Sequence, residues 1–220
     1  MKLEAGWVPV ALSSSIEAAT SAGAVVEGSE IVVWRDNSGV VHVWEDRCPH
    51  RGMRMSFGFV RGDHIACLYH GWQYDAGGQC RYIPAHPTLD VPSTIKVPTY
   101  VSQEKYGIVW ATASPDAAMP DIGPAVGSTP VRSLYVDCSA ADAIEALDAE
   151  GLEHISTDTG LLACDGDKLF IAVQAITATK AAVHVVLVGP PSADNAKRQA
   201  HHARRLEKMR YALEQAAEFA

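Results

Sequence analysis

Two short runs, Cys48-Pro49-His50 and Cys67-Leu68-Tyr69-His70, constrain this chain more than any other feature; sixteen residues separate His50 from Cys67. Each run places one thiol and one imidazole in a single tight loop. Strand-like segments flank both, so the two pairs read as neighbouring hairpin loops that can pool their ligands. Gly52 and Gly71, just past the histidines, suit tight turns. The chain has five cysteines, at 48, 67, 80, 138 and 164. That odd number at irregular spacing speaks for reduced thiols and metal ligands, and against a disulfide framework.

The pattern around the loops is that of an antiparallel β domain. Short strands are expected at 8–12, 30–35, 40–44, 57–60, 64–66, 72–74, 79–82 and 108–112. Asp36-Asn37-Ser38-Gly39 and Asp75-Ala76-Gly77-Gly78 supply turn chemistry between them. A proline-rich stretch over 114–130 reads as a linker. Beyond it come a strand at 131–137 and a helix that starts at a Ser139–Asp142 capping box and runs to about His154. Strands at 168–177 and 181–188 follow, then a long helix over 194–219. The sequence thus divides into an all-β unit at 1–113, a linker at 114–130 and a β-α-β-β-α unit at 131–220, an α+β fold.

Composition removes several functions. A net charge of −8 argues against nucleic acid or an anionic membrane as partner. The N-terminus lacks the basic and apolar regions of a signal peptide, and no apolar run is long enough to span a bilayer. A cytoplasmic protein is the expectation.

The donor set fits a [2Fe–2S] cluster in which Cys48 and Cys67 hold one iron and His50 and His70 the other. Thiolates suit the iron–sulfide core, and neutral imidazoles reduce its negative charge. A zinc site of two cysteines and two histidines has the same donors. It fits less well, because zinc fingers gather their histidines on a helix and these lie between strands.

The runs Glu45–Gly52, Gly58-Phe59-Val60 and Cys67–Trp72, with Ile83-Pro84, Val97-Pro98 and Tyr106–Trp110, resemble the Rieske domain of Rieske non-haem iron oxygenases. The likeness is to the vanillate O-demethylase and phthalate dioxygenase oxygenase-subunit type. Respiratory Rieske proteins carry an extra cysteine in each loop, which this chain lacks. The resemblance implies a flavin/iron–sulfur reductase or a ferredoxin as electron donor. It also implies a mononuclear iron beyond the cluster, usually in the neighbouring subunit of a trimer.

That resemblance weakens in the second half. The family's mononuclear Fe(II) is held by two histidines of an Asp-x-x-His-x-x-x-x-His helix and a carboxylate from a late helix. The matching stretch is Ile144–His154, where Asp148 takes the place of the leading Asp that bridges the two centres. Gly151 and Ser156 stand where the histidines belong, which puts the mononuclear iron in doubt. His154, His201 and His202 with Glu150, Asp158 or Glu207 are alternative donors, although His201 and His202 should face apart on a helix. Cys80, Cys138 and Cys164 read as small buried residues, and His42, His64, His86 and His184 as structural ones. Trp72 reads as a shield for the cluster, and Arg51, Arg54, Arg61 and Arg81 as a docking surface or solvated charges. Three functions follow: an electron-transfer component serving a catalytic oxygenase subunit in a homo- or hetero-trimer, a complete oxygenase, or a binding module that carries a redox cluster.

Overall fold

The computed structural model describes residues 3, 6–114, 116–123 and 127–218. Its first strands are β1 (Val8–Leu12), β2 (Thr20–Val26), β3 (Ser29–Arg35) and β4 (Val41–Glu45). The short strands β5 (Phe59–Arg61), β6 (His64–Ala66), β7 (Gln73–Asp75) and β8 (Cys80–Tyr82) follow, then β9 (Thr99–Lys105) and β10 (Ile108–Thr112). The later part comprises β11 (Ser128–Val136), α1 (Ala140–Ala149), β12 (Glu153–Ser156) and β13 (Thr159–Cys164). It ends with β14 (Asp167–Thr177), β15 (Lys180–Val188) and α2 (Asn195–Glu218).

Three antiparallel sheets result, ordered β1-β10-β9-β4-β3-β2, β5-β6-β7-β8 and β11-β15-β14-β13-β12. Strand β3 shows why its sequence is apolar throughout. Ile31 and Val33 enter the core beneath the six-stranded sheet, whereas Val32 and Trp34 face the other way, toward the four-stranded sheet. Alternate side chains point to opposite faces, and both faces are covered. Strand β14 repeats the device. Leu169, Ile171 and Val173 pack beneath the helices with Leu206 and Leu213 of α2, while Phe170 and Ala172 meet Tyr106, Ile108 and Trp110 of the first half.

The halves are also joined by polar groups. The β2–β3 turn donates Glu27 N–H to Ala175 O at 2.9 Å and Gly28 N–H to Ile176 O at 2.7 Å. His184, fully buried on β15, contacts Ser133 Oγ at 2.7 Å and Gln174 Oε1 at 2.9 Å. Gln174 Nε2 in turn donates to Val25 O at 2.8 Å, so its Oε1 must accept. His184 therefore donates through Nε2 and accepts the Ser133 hydroxyl at Nδ1. Burial pushes the His184 pKa down to about 4.

The α+β class stands, and the Ser139–Asp142 capping box forms in both directions. Several expected elements need correction. The first helix stops at Ala149 instead of running to His154, because Gly151 turns into the left-handed region at φ +92° and Leu152 N–H returns to Leu147 O at 3.1 Å. Residues 153–164 then form the β12–β13 hairpin, so the second unit is β-α-β-β-β-β-α. Strands β2 and β9 carry no strand pattern that the sequence makes plain. Strand β2 is Thr-Ser-Ala-Gly-Ala-Val-Val, poor in the large β-branched residues that mark strands, and β9 lies largely exposed. Positions 115 and 124–126 of the expected linker lie outside the described residues.

Candidate metal centre

The two Cys–His runs form two loops with the same backbone plan. Cys48 N–H bonds Met53 O at 2.8 Å and Gly52 N–H bonds Cys48 O at 2.8 Å. In the second loop Cys67 N–H bonds Trp72 O at 2.9 Å and Gly71 N–H bonds Cys67 O at 2.9 Å. Gly52 and Gly71 both take positive φ, +72° and +70°, at the same place in each loop. An added Cβ at Gly71 would come within 3.1 Å of Pro84 Cγ, so this loop tip is closed against the segment after β8. The histidine sits one position later in the second loop than in the first. That single step explains why the spacings differ while the loops match.

Strands fix this arrangement. The first loop leaves β4, and the second joins β6 to β7, paired through Ile65–Tyr74 and Ala66–Gln73. Asp46, buried just ahead of the first loop, accepts Ser56 N–H at 2.7 Å and Ser56 Oγ–H at 2.6 Å, tying the loop to the turn that leads into β5.

Cys48 and Cys67 are both buried, and their side chains hydrogen-bond each other. That contact pulls the Cys48 thiol down to about 6 despite its burial, helped by Tyr74 and by the amides of His50 and Arg51. The same contact, together with burial, pushes Cys67 up against the amides of Tyr69 and His70. Cysteine sulfurs ligate iron as thiolates, so cluster binding here would displace whatever proton the pair holds. Tyr74 Oη lies 3.1 Å from Cys48 Sγ, and burial raises the pKa of that phenol well above its ordinary range, so it stays a donor.

His50 and His70 meet edge to face with ring centroids 4.7 Å apart. Trp72 stacks on His50 at 4.2 Å and 8°. Tyr69 packs on His70 at 3.9 Å, while Leu68 and Tyr69 stay exposed. Both sulfurs are buried, His50 is half-buried and His70 exposed, and loop amides bond the sulfurs. This donor set fits a [2Fe–2S] group, whose sulfide side accepts amide hydrogen bonds and whose imidazole side can meet a partner.

Among the described residues, most of the side chains considered for a mononuclear iron are engaged in separate contacts. Asp148, the expected bridge, is half-exposed on α1 and bonds His154 Nε2 at 2.7 Å. His154 also bonds Ser156 O, and these two contacts raise its pKa, the backbone one most. It lies on a strand, not on the helix expected for it. His201 bonds Asp165 and His202 bonds Asp167. These adjacent helix positions were expected to face apart, yet their rings sit 5.2 Å apart because both reach the same β13–β14 hairpin. Glu150 and Glu207 are taken up by Arg205 and Arg132. Cys80, Cys138 and Cys164 are buried, and His42 stacks on Trp34. Among the expected docking arginines, Arg54 pairs with Glu30, Arg81 with Asp63, and Arg61 covers Phe59.

Sequence reasoning missed Tyr74. It stands on the inward face of β7, seven residues past Cys67, a place that an aromatic in an alternating strand could have flagged.

Residues 6–100 match the Rieske [2Fe-2S] domain family. An oxidoreductase, NdmD of Pseudomonas putida, is 40% identical over 107 residues, covering 48% of this chain and 18% of that protein. The 3-chlorobenzoate-3,4-dioxygenase oxygenase subunit of Comamonas testosteroni is 32% identical over 118 residues, covering 53% and 27%. This part of the chain is a Rieske [2Fe–2S] domain, and it carries the cluster that such domains bind. The likeness to such oxygenase subunits lies in this part of the chain, where the loop motifs stand. The matches span about a fifth to a quarter of those relatives' length. The fold is similar to that of apo dicamba monooxygenase, with TM-score 0.79 at 17% identity over 98% of this chain and 87% of that one. No helix among the described residues is long and apolar enough to cross a membrane.

Proposed function

We propose that Cys48 and Cys67 hold one iron of the cluster and His50 and His70 the other. The chain then serves as a single-electron carrier in an oxygenase- or demethylase-type system. One observation carries the reading: matched loops bury the sulfurs and leave exposed His70 at the surface beside Leu68 and Tyr69. When bound, the cluster takes up and returns one electron. The protein's own work is to desolvate the sulfurs, donate amide and Tyr74 hydrogen bonds to them, and present the imidazole edge to a partner. Donors of the kind expected are a flavin/iron–sulfur reductase or a ferredoxin, and the acceptor is a catalytic oxygenase subunit, in a homo- or hetero-trimer.

The state of the expected mononuclear site supports carriage over oxygenation. Gly151 ends α1 where the first histidine would stand, and His154 is engaged with Asp148. A facial triad needs three donors on one side of an ion. Asp148, exposed beside His154, is available as a contact on the path to a partner. The test mixes the purified protein with a reductase, NADH, ferrous iron and a panel of methoxylated and carboxylated aromatics. Fast bleaching of the cluster absorption without product is expected. Coupled product that disappears in His154→Ala with the cluster spectrum intact would establish a complete oxygenase instead.

A further inference from the structure

The electron-transfer reading leaves a second group of metal-ligating side chains unused at the far end of the β13–β14 hairpin. Cys164 closes β13, Asp165-Gly166 form the turn, and Asp167 opens β14, directly across from Cys164. Both turn residues have positive φ, +51° and +83°, the geometry of a two-residue hairpin with an Asp-Gly turn. Helix α2 lies over this turn and lowers His201 and His202 onto it.

His202 is fully buried, an unusual place for an imidazole. Its Nε2 meets Asp167 Oδ2 at 2.7 Å, and Arg198 holds the other oxygen of that carboxylate at 2.6 Å. With Nε2–H donated to Asp167, the lone pair on Nδ1 faces the Cys164 sulfur at 3.8 Å. The same sulfur lies 3.7 Å from Asp165 Oδ2. Sulfur, ring nitrogen and carboxylate oxygen all fall within 4.8 Å of one another.

We propose that Cys164, Asp165 and His202 bind one divalent transition-metal ion of the zinc type. The spacing is the first argument. Zinc bonds of about 2.3 Å to sulfur and about 2.0 Å to nitrogen or oxygen, at a tetrahedral angle, give a sulfur-to-nitrogen or sulfur-to-oxygen edge of about 3.6 Å. Both observed sulfur contacts lie near that edge, at the long end for a thiol hydrogen bond. The arrangement behind the ligands is the second argument. Asp167 fixes the tautomer and ring plane of His202 as an outer carboxylate does for a metal-bound imidazole, and His201 braces Asp165 at 2.8 Å. Donor chemistry is the third: a thiolate with an imidazole selects zinc over magnesium or calcium.

Access and charge agree. Asp165 and His201 are exposed, so an ion has a way in and a solvent molecule can complete the fourth position. Burial raises the Cys164 thiol, so ion binding must displace its proton to water. The charges facing the site are Asp165, Asp167, Arg198 and Arg205, whose guanidinium lies 3.9 Å from Asp165 Oδ2. Two acids and two arginines cancel, and the thiolate leaves net attraction for a divalent ion. A hydrogen-bonded clamp between hairpin and helix would need Asp167, Arg198 and His202 but no sulfur at Nδ1.

The experiment uses the full chain with its cluster loaded. The protein is equilibrated with Zn2+ alone, and bound zinc and iron are counted by elemental mass spectrometry. One zinc per chain is expected, with the cluster absorption unchanged. Zinc K-edge absorption, blind to the iron, should report one sulfur neighbour near 2.3 Å and nitrogen or oxygen near 2.0 Å. Cys164→Ser and His202→Gln should weaken binding at least about 100-fold. If either fails to fold, Asp165→Asn keeps a residue suited to the turn and should still weaken binding about 10-fold. Absence of stoichiometric zinc, two sulfur neighbours (the signature of zinc at Cys48 and Cys67), or unchanged affinity in Asp165→Asn would each overturn the proposal.

Discussion

Lowering the pH from 7 to 4 should destabilise this protein through His184 in particular. The folded imidazole titrates at about 4 because it is fully buried, against 6.5 in the unfolded chain. Above 6.5 both states are neutral and the group contributes no pH dependence. Between 6.5 and 4 the unfolded chain takes up the proton and the folded chain does not, so stability falls with pH in that window. The loss works out at about 2 kcal/mol by pH 5 and about 3 kcal/mol once both states are protonated. Asp167, which Arg198 and His202 hold down to about 2, acts only below its ordinary 3.8 and leaves this window clear. Urea unfolding at half-unit steps of pH, for the wild type and His184→Gln, isolates the effect, since every other group is common to both. The wild type should lose about 2 kcal/mol more than the variant between pH 7 and 5. Parallel curves, or an NMR titration of the His184 ring near 6.5, would refute the reasoning.

Three further outcomes follow from the site. Tyr74→Phe removes one hydrogen bond to Cys48, a ligand of a cluster that gains negative charge on reduction; a differential of about 1 kcal/mol lowers the midpoint potential by about 40 mV, read by spectroelectrochemistry. Gly71→Ala forces a Cβ onto a left-handed residue facing Pro84 Cγ, at a cost of roughly 1–2 kcal/mol, and chelator challenge should strip its cluster faster. Asp148→Asn removes one of the two contacts that raise His154, so the His154 pKa measured by NMR should move back toward 6.5 with the cluster spectrum unchanged.

The metal loops were legible because their chemistry is local. Four donors, two glycines and flanking strands lie within a short stretch, and the backbone hydrogen bonds that close each loop involve residues at most five apart. Tyr74 was less visible because its role depends on which face of β7 turns inward, a matter of pairing with β6. The end of α1 was misjudged for a physical reason: Ala, Glu and Leu continue the helical composition to Leu152, while a single left-handed glycine ends the helix. Cys164 and His202 were beyond reading from sequence. They come from a hairpin and a helix far apart in the chain, and only the packing of α2 across the sheet brings them together. The buried His184 network was hidden in the same way, since an apolar strand with one histidine does not reveal Ser133 and Gln174 on its neighbours.

The most direct test of the central claim is electron paramagnetic resonance of the dithionite-reduced full chain, with iron counted in the same sample. The account predicts about two irons per chain and a Rieske spectrum coupled to two histidine nitrogens. Cys48→Ser, His50→Ala, Cys67→Ser and His70→Ala should each lose that spectrum. A His70→Ala protein that keeps the two-nitrogen spectrum would contradict the account.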